Sequence, residues 1–570
     1  LQHGEIPATR GVKAAMTSKN GGVSEEQIVQ KTAVWPHNRK DRRAAVSAFG
    51  FGGTNAHLIF ESGVKASKRI DFPKPQNSQI MAIVGMEAIF GGCKGLHEFY
   101  RTIYDNKQHF RSLPPERWKG FEQHPELKNH PQGAWLESFE MDFLRFKLQP
   151  NPKERLIPQQ LLTLEVTDRA INKTKLEEGQ NVAVLVAMET ELEIHRFRGR
   201  VNLSTQIQDS LQAAGIVLSE EERKDLINLS RNSLLEEVPI NRFTSFIGNI
   251  MATRISSLWD FSGPAMTISA EENSVLRALE VAQILLLEDN VDAVVVTAVD
   301  LAGSPEQVLL RQRNLPLNSG QATLSFDKDT NGWLIGEGAG TVILKSVESA
   351  KKDDEQIFAT VDSIAFSTGL TPESVENAAN QALTEANVSA GEIGILEVFG
   401  SGNTVEDSAE MSGLAQAYAK VDAGCALGSI KSNVGHTFTA SGMASLIKAA
   451  LCLHHRFIPG VPEWKSPKTE LQSAKQFYVP VESRPWLIQS GIKQRHAAVS
   501  SLGIDNICSH LILSEALPEL RQTIKVAESG DLNLFLVTGQ EKSAIRKGLL
   551  ELEKELLSGK EPASLAYQYY

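Results

Sequence analysis

The chain has 570 residues, 41% of them hydrophobic and 22% charged, which is enough to bury one large core or two and too much for a single short domain. Its formal charge of −11 argues against a nucleic-acid partner, because phosphate binding needs a basic face. No run approaches the ~18 apolar residues of a membrane span, and the chain opens on Leu1, Gln2 and His3 instead of a signal peptide or an initiating methionine, so it reads as a fragment.

The first 62 residues repeat the end of a later segment. Residues 42–60 read RRAAVSAFGFGGTNAHLIF and residues 495–513 read RHAAVSSLGIDNICSHLIL, the same pattern 453 positions on. Upstream, LQHGEIP at 1–7 matches LHHRFIP at 453–459, and Trp35 matches Trp486. Two copies of one domain therefore end in this chain, and the first lacks its front. Residues 1–62 are too apolar to stand alone and are expected to be disordered or held against the missing part. The basic run His37–Arg43 reads as a solvated loop. Residues 63–78 are polar, carry Lys65, Lys68, Pro73 and Pro75, and read as a linker.

A complete domain is expected over 79–515. The apolar runs IMAIVGM (80–86), NVAVLVAM (181–188), DAVVVTAV (292–299) and GTVILKS (340–346) have strand length and alternate with longer helical patterns, which indicates a layered α/β fold. GEGAG (336–340) leads into a strand-like run, whereas a dinucleotide fingerprint follows a strand and opens a helix, so nucleotide binding is set aside. Residues 516–570 add a polar bridge, the strand-like LNLFLVTG (532–539) and a helix with Ile545, Leu549, Leu552 and Leu556 on one face. They read as a small α/β linker module leading to a further domain. Cys93, Cys425, Cys452 and Cys508 are few, widely spaced and never C-x-x-C, which points to the cytoplasm without a disulfide framework or zinc.

Several motifs within 79–515 carry a resemblance. Ala82–Met86 opens the domain, LPPERW (113–118) resembles a Pro-x-Asp-Arg-Trp segment, and IPQQLLTLE (157–165) resembles DPQQRLLLE. GNIMATRIS (248–256), FDKDTNGWLIGEGAG (326–340) and KSNVGHTFTASGMASLIKA (431–449) follow in the same order as in the beta-ketoacyl synthases of modular polyketide and fatty acid synthesis. The resemblance implies a thiolase-like five-layer αβαβα fold made of two related halves.

It also implies a catalytic set, and here that set is degenerate. Ketosynthase chemistry needs a thiolate to take the acyl chain and two histidines to support decarboxylation and hold the enolate oxygen. The family nucleophile lies in DTACSSS, but residues 269–275 read SAEENSV and place Glu272 there. The first histidine opens HGTGT, but FGSGN (399–403) places Phe399 there, which has neither donor nor charge. The family lysine and second histidine remain as Lys431 and His436. The gating loop GFGGTNAH is intact in the first copy, with Phe51, Gly52 and Gly53, while the second copy reads GIDNICSH. Ile504, Asp505 and Asn506 there remove the aromatic gate and are expected to remove the φ freedom of the glycines.

Such a domain resembles the chain length factors, which pair with an active ketosynthase and shape the tunnel for the growing chain. Those of aromatic polyketide systems usually carry glutamine where Glu272 stands. The tandem order looks most like that of a bacterial polyunsaturated fatty acid synthase subunit. The resemblance implies an active ketosynthase domain on the same polypeptide, an acyl carrier protein bearing phosphopantetheine, and an acyl chain in the shared tunnel, with no cofactor held by this domain. Glu272 at the start of a helix is expected to be stabilised by free N–H groups and the helix dipole and to fill the vacated pocket. Two other readings remain open: an acyl-processing enzyme that uses Glu272, and a carrier-protein docking or scaffold domain.

Overall fold

The computed structural model of the chain describes residues 1, 3–14, 24–36, 42–49, 55–62, 80–114, 117, 132–148, 156–190, 194–234, 247–287, 291–313, 315–419, 424–472, 474–488, 492–516, 534–560 and 562–569. They fall into two units, 1–77 and 78–570. The linker expected over 63–78 lies outside the described residues.

In the first unit β1 (Glu5–Ile6) pairs antiparallel with β2 (Ala33–Val34), and β3 (Arg43–Phe49) with β4 (Asn55–Glu61). Arg43 stands opposite Glu61 and Phe49 opposite Asn55. The apolar side chains of this hairpin are open to solvent, with Phe49 78% and Ile59 71% exposed.

The second unit is built on one large sheet in two halves. The first half contributes β5 (Met81–Phe90), the short β6 (Gly133–Ala134), β7 (Val182–Ala187), β8 (Ala265–Ile268), β9 (Ala293–Leu301) and β10 (Ile335–Ser346). The second contributes β11 (Ala359–Thr368), β12 (Ile393–Glu397), β13 (Cys425–Gly428), β14 (Phe477–Tyr478), β15 (His496–Gly503) and β16 (Ile507–Ser514). In the first half β7 runs parallel to both β8 and β9, β9 is antiparallel to β10, and β10 is antiparallel to β5. The second half repeats the scheme: β12 is parallel to β13 and β15, β15 antiparallel to β16, and β16 antiparallel to β11. Antiparallel pairing of β5 with β11 joins them. The hairpin β15–β16 has the register of β3–β4, with His496 opposite Ser514 and Leu502 opposite Cys508, but its side chains are largely buried.

Alternate strand residues face opposite layers. In β9, which leads into α4 (Pro305–Gln312), Val294 and Val296 join the middle core with α3 (Ser274–Leu287) and α7 (Ser441–His455), while Val295 and Val299 face α1 (Pro158–Ile171) and α2 (Gly248–Leu258). Leu396 and Ile512 of the second half face α5 (Pro372–Ala386) and α6 (Thr404–Ala417). Helix, strand, helix, strand, helix is thus the expected five-layer order. α7 is buried along Ser441–Leu453, as a helix between the two halves of the sheet must be. α5 shows how local chemistry sets the ends: Thr371 caps the Ser374 amide, Pro372 occupies the first turn, and Asn387 stops the helix at φ +55.

Two expected elements differ. β10 begins at Ile335, so the GEGAG glycines lie inside the strand. A Cβ on Gly336 would sit 2.4 Å from the Val434 carbonyl oxygen, and one on Gly338 would sit 2.3 Å from the Phe90 ring. These glycines serve close packing, not phosphate binding. In the last segment α8 (Lys542–Leu557) forms, but residues 534–539 are not a strand. An apolar run becomes a strand only against a ladder partner, and among the described residues this one has none. No described helix is long and apolar enough to cross a membrane.

Candidate functional site

Glu272 lies just beyond the end of β8, in a 3₁₀ turn (Glu271–Asn273) that precedes α3. Glu271 holds φ +48 there, and the Ser274 hydroxyl ties the turn by donating to the Glu271 carbonyl at 2.6 Å. The Glu272 side chain is buried, and its Oε2 accepts the Ile504 amide at 3.1 Å. The expectation of a first-turn glutamate is therefore amended: the residue precedes the α-helix, and its bonding reaches across to the β15–β16 turn. Burial pushes its carboxyl up from 4.5 to about 7, against the pull of that amide and of Arg311. Next to it, Asn273 is fully buried, with Nδ2 donating to the Ile507 carbonyl at 2.9 Å and Oδ1 accepting the Ser509 hydroxyl at 2.7 Å. Nothing in the sequence singles out Asn273.

Phe399 follows β12. Its amide and that of Gly400 donate to the two carboxylate oxygens of Glu410 on α6, at 2.7 and 2.9 Å. The ring stands edge-on to His436 with centroids 5.4 Å apart, and Lys431 Nζ lies 4.3 Å from its centroid. Lys431 is buried, which brings its ammonium down to about 8, while Glu397, Glu410, Glu272 and Asp407 act to hold the proton. His436 Nδ1 accepts the Phe438 amide at 3.1 Å, so the ring proton sits on Nε2. Its ring stacks on Phe438 at 4.1 Å, and the Arg311 guanidinium, paired with Asp300 at 3.1 Å, lies 3.2 Å from the Phe438 centroid. Burial, Lys431 and Arg311 hold His436 well below 6.5 and neutral. The fold thus brings Glu272, Phe399, Lys431 and His436 into one electrostatic neighbourhood, and adds Glu410, Phe438 and Arg311, which carry no mark in the sequence.

A small cavity lies beside Lys431 and His436. The cavity lined by Trp333, Gly400, Ser401, Ser429, Lys431 and His436 has about 10 Å³, the size of one water.

Ile504, Asp505 and Asn506 form the three-residue turn between β15 and β16, closed by the Asn506 amide on the Gly503 carbonyl at 3.0 Å. Asn506 adopts φ +61. Replacing the glycines therefore does not exclude a left-handed residue from this turn, since asparagine is among the non-glycine residues that tolerate that conformation best. Asp505 fixes the turn by accepting the Ile507 amide at 3.1 Å. Phe51, Gly52 and Gly53 lie outside the described residues.

Against known proteins, residues 79–350 match the beta-ketoacyl synthase N-terminal domain and residues 338–464 the beta-ketoacyl synthase C-terminal domain. A polyunsaturated fatty acid synthase subunit of Thraustochytrium sp. is 34% identical over 551 residues, covering 90% of this chain and 26% of that protein. The polyketide synthase PksL of Bacillus subtilis is 24% identical over 538 residues, covering 90% and 11%. Among solved structures, the PfaC keto synthase–chain length factor superposes with a TM-score of 0.72 at 40% identity, over 91% of this chain and 51% of that one. The ketosynthase from module 6 of the Bacillus subtilis bacillaene synthase gives 0.62 at 22% identity, over 84% and 78%, a likeness of fold alone. The chain spans about a quarter of the first relative and about half of the first solved structure.

Proposed function

The chain belongs to the beta-ketoacyl synthase family, and from that membership we propose that residues 79–515 are a non-catalytic chain length factor that pairs with an active ketosynthase in polyunsaturated fatty acid synthesis. The observation that carries this reading is the state of the nucleophile position: Glu272 is buried and bonded to the Ile504 amide, and Phe399 fills the place of the first histidine. A carboxylate there would yield a mixed anhydride, and half of the enolate-binding pair is missing.

Residues 1–62 are on this reading the end of the active ketosynthase, with Phe51, Gly52 and Gly53 in its gate, residues 63–78 a linker, and residues 516–570 the passage to a further domain. β8 stands at the end of the sheet with β7 its one neighbour there among the described residues, and it leads directly into the Glu272 turn. Its open edge suits pairing with the ketosynthase. The acyl chain in the shared tunnel arrives on the phosphopantetheine of an acyl carrier protein, this domain holding no cofactor, in a cytoplasmic setting.

The test is incubation with radiolabelled acyl thioesters and malonyl carrier protein. The chain should acquire no label and release no carbon dioxide, and Glu272→Cys should restore thiol reactivity at most. Stoichiometric acylation of Glu272 would overturn the reading.

A further inference from the structure

The 503–507 turn is fastened from two sides. On one side the 271–273 turn grips it at three points. Glu272 Oε2 accepts the Ile504 amide, Asn273 Nδ2 donates to the Ile507 carbonyl, and Asn273 Oδ1 accepts the Ser509 hydroxyl. Gly503 lies so close that a Cβ there would be 2.6 Å from Asn273 Nδ2. On the other side the Gly369 amide donates to the Asn506 carbonyl at 2.7 Å, and the Cys508 thiol donates to the Gly369 carbonyl at 2.9 Å. Ile504 itself is 54% exposed, so burial does not hold its amide in place.

We propose that Glu272 and Asn273 form a latch that fixes the 503–507 turn in one closed position over the former nucleophile site. Glu272 thereby acquires a positioning role: it holds the turn that covers its own site. Asn273 is the stronger arm, because it is fully buried and serves both a donor and an acceptor of β16. Acyl groups would then reach this region from the partner's side of the tunnel and not past the 503–507 turn. That consequence rests on the chain-length-factor reading, whereas the latch itself does not.

The chain carries its own probes. All four cysteines are buried; Cys508 follows the turn directly and bonds to the Gly369 carbonyl, while Cys93, Cys425 and Cys452 lie away from it, so a rise confined to Cys508 reports local opening and a rise at all four reports global opening. Labelling of native full-length chain with a small thiol reagent, read by mass spectrometry beside hydrogen exchange at Ile504, measures the latch. Asn273→Ala and Glu272→Ala should each raise Cys508 labelling and Ile504 exchange roughly tenfold or more, as expected for loss of a charged or doubly used hydrogen-bonding group. Cys425 and Cys452 should not change. Glu272→Gln, which keeps an acceptor, should stay within about threefold of the parent. If Asn273→Ala unfolds the domain, all the cysteines label together, and Glu272→Ala then decides. Unchanged Cys508 labelling and Ile504 exchange in Glu272→Ala would overturn the latch. Acylation of Glu272 would remove the non-catalytic reading while leaving these outcomes as they are.

Discussion

Replacing Glu272 by glutamine separates a carboxylate kept for chemistry from the cost of burying it. Burial raises the carboxyl from 4.5 to about 7. Between those values the folded chain binds more protons at this site than the unfolded chain, so the parent loses stability as pH rises through the window. The penalty is about 1 kcal/mol at pH 5, about 2 at pH 6 and about 3 by pH 8, where it levels off. Glutamine carries no such penalty and, like the protonated carboxyl, accepts from the Ile504 amide as a neutral group, the stronger pull of that amide on the carboxylate being already contained in the shift. Glu272→Gln should therefore equal the parent within about 1 kcal/mol at pH 4.5 and exceed it by about 3 at pH 8. Urea unfolding of both chains across that range measures the difference. A gap that does not change with pH would refute the argument, since it would mean that the carboxyl is already solvated in the folded state.

Three other outcomes follow from the packing. Gly338→Ala would force a methyl to 2.3 Å from the Phe90 ring and 2.5 Å from the Ile89 carbonyl oxygen, and should lower stability by about 3 kcal/mol or more, read as a fall in the urea midpoint. Lys448→Met would strand Glu397, its partner at 2.7 Å in a pair buried on both sides, at a cost of about 3–5 kcal/mol near neutral pH; Lys448→Met with Glu397→Leu should recover most of it, as a double-mutant cycle would show. Asp362 is raised from 3.8 to about 6 by burial, so Asp362→Asn should gain on the parent as pH climbs from 4 to 7 and level off above, which denaturation at several pH values checks.

The strands at 81–90, 182–187 and 293–301 were legible because both of their faces are buried, which leaves an unbroken apolar run in the sequence. The start of β10 was hidden because close approach to Val434, Phe90 and Met443 demands glycines, and glycine reads locally as a loop. LNLFLVTG misled for the converse reason: apolar content shows that a segment can pair, and not that a partner exists. The periodicity of Ile545, Leu549, Leu552 and Leu556 does locate α8, yet Leu552 is buried while Leu549 stays 51% exposed, so the pattern marked the helix and not its contacts. In the site, family motifs brought out Glu272, Phe399, Lys431 and His436. Asn273 and Glu410 escaped because their partners are main-chain groups and a serine hydroxyl, and such partners leave no spacing rule behind.

Which members of the catalytic set have gone, and which remain, has a physical logic on the proposed reading. Lys431 supplies positive charge facing Glu397, Glu410, Glu272 and Asp407 in the interior, so losing it would leave buried carboxylates short of a counter-charge. His436 Nδ1 satisfies the Phe438 amide at a residue held at φ +38, and its ring fills the space between Phe438 and Phe399. Removing either would damage the fold whether or not the domain turns over substrate. At 399 the bond to Glu410 comes from the main chain, which phenylalanine provides as well as histidine, and the aromatic ring still rests against Lys431 and His436. At 272 a longer side chain reaches the Ile504 amide and accepts a burial penalty that a thiol would avoid. On the proposed reading, the two positions that depart from the family motif are ones whose contacts the main chain or another side chain still supplies, and the two that match it are those on which the surrounding structure depends.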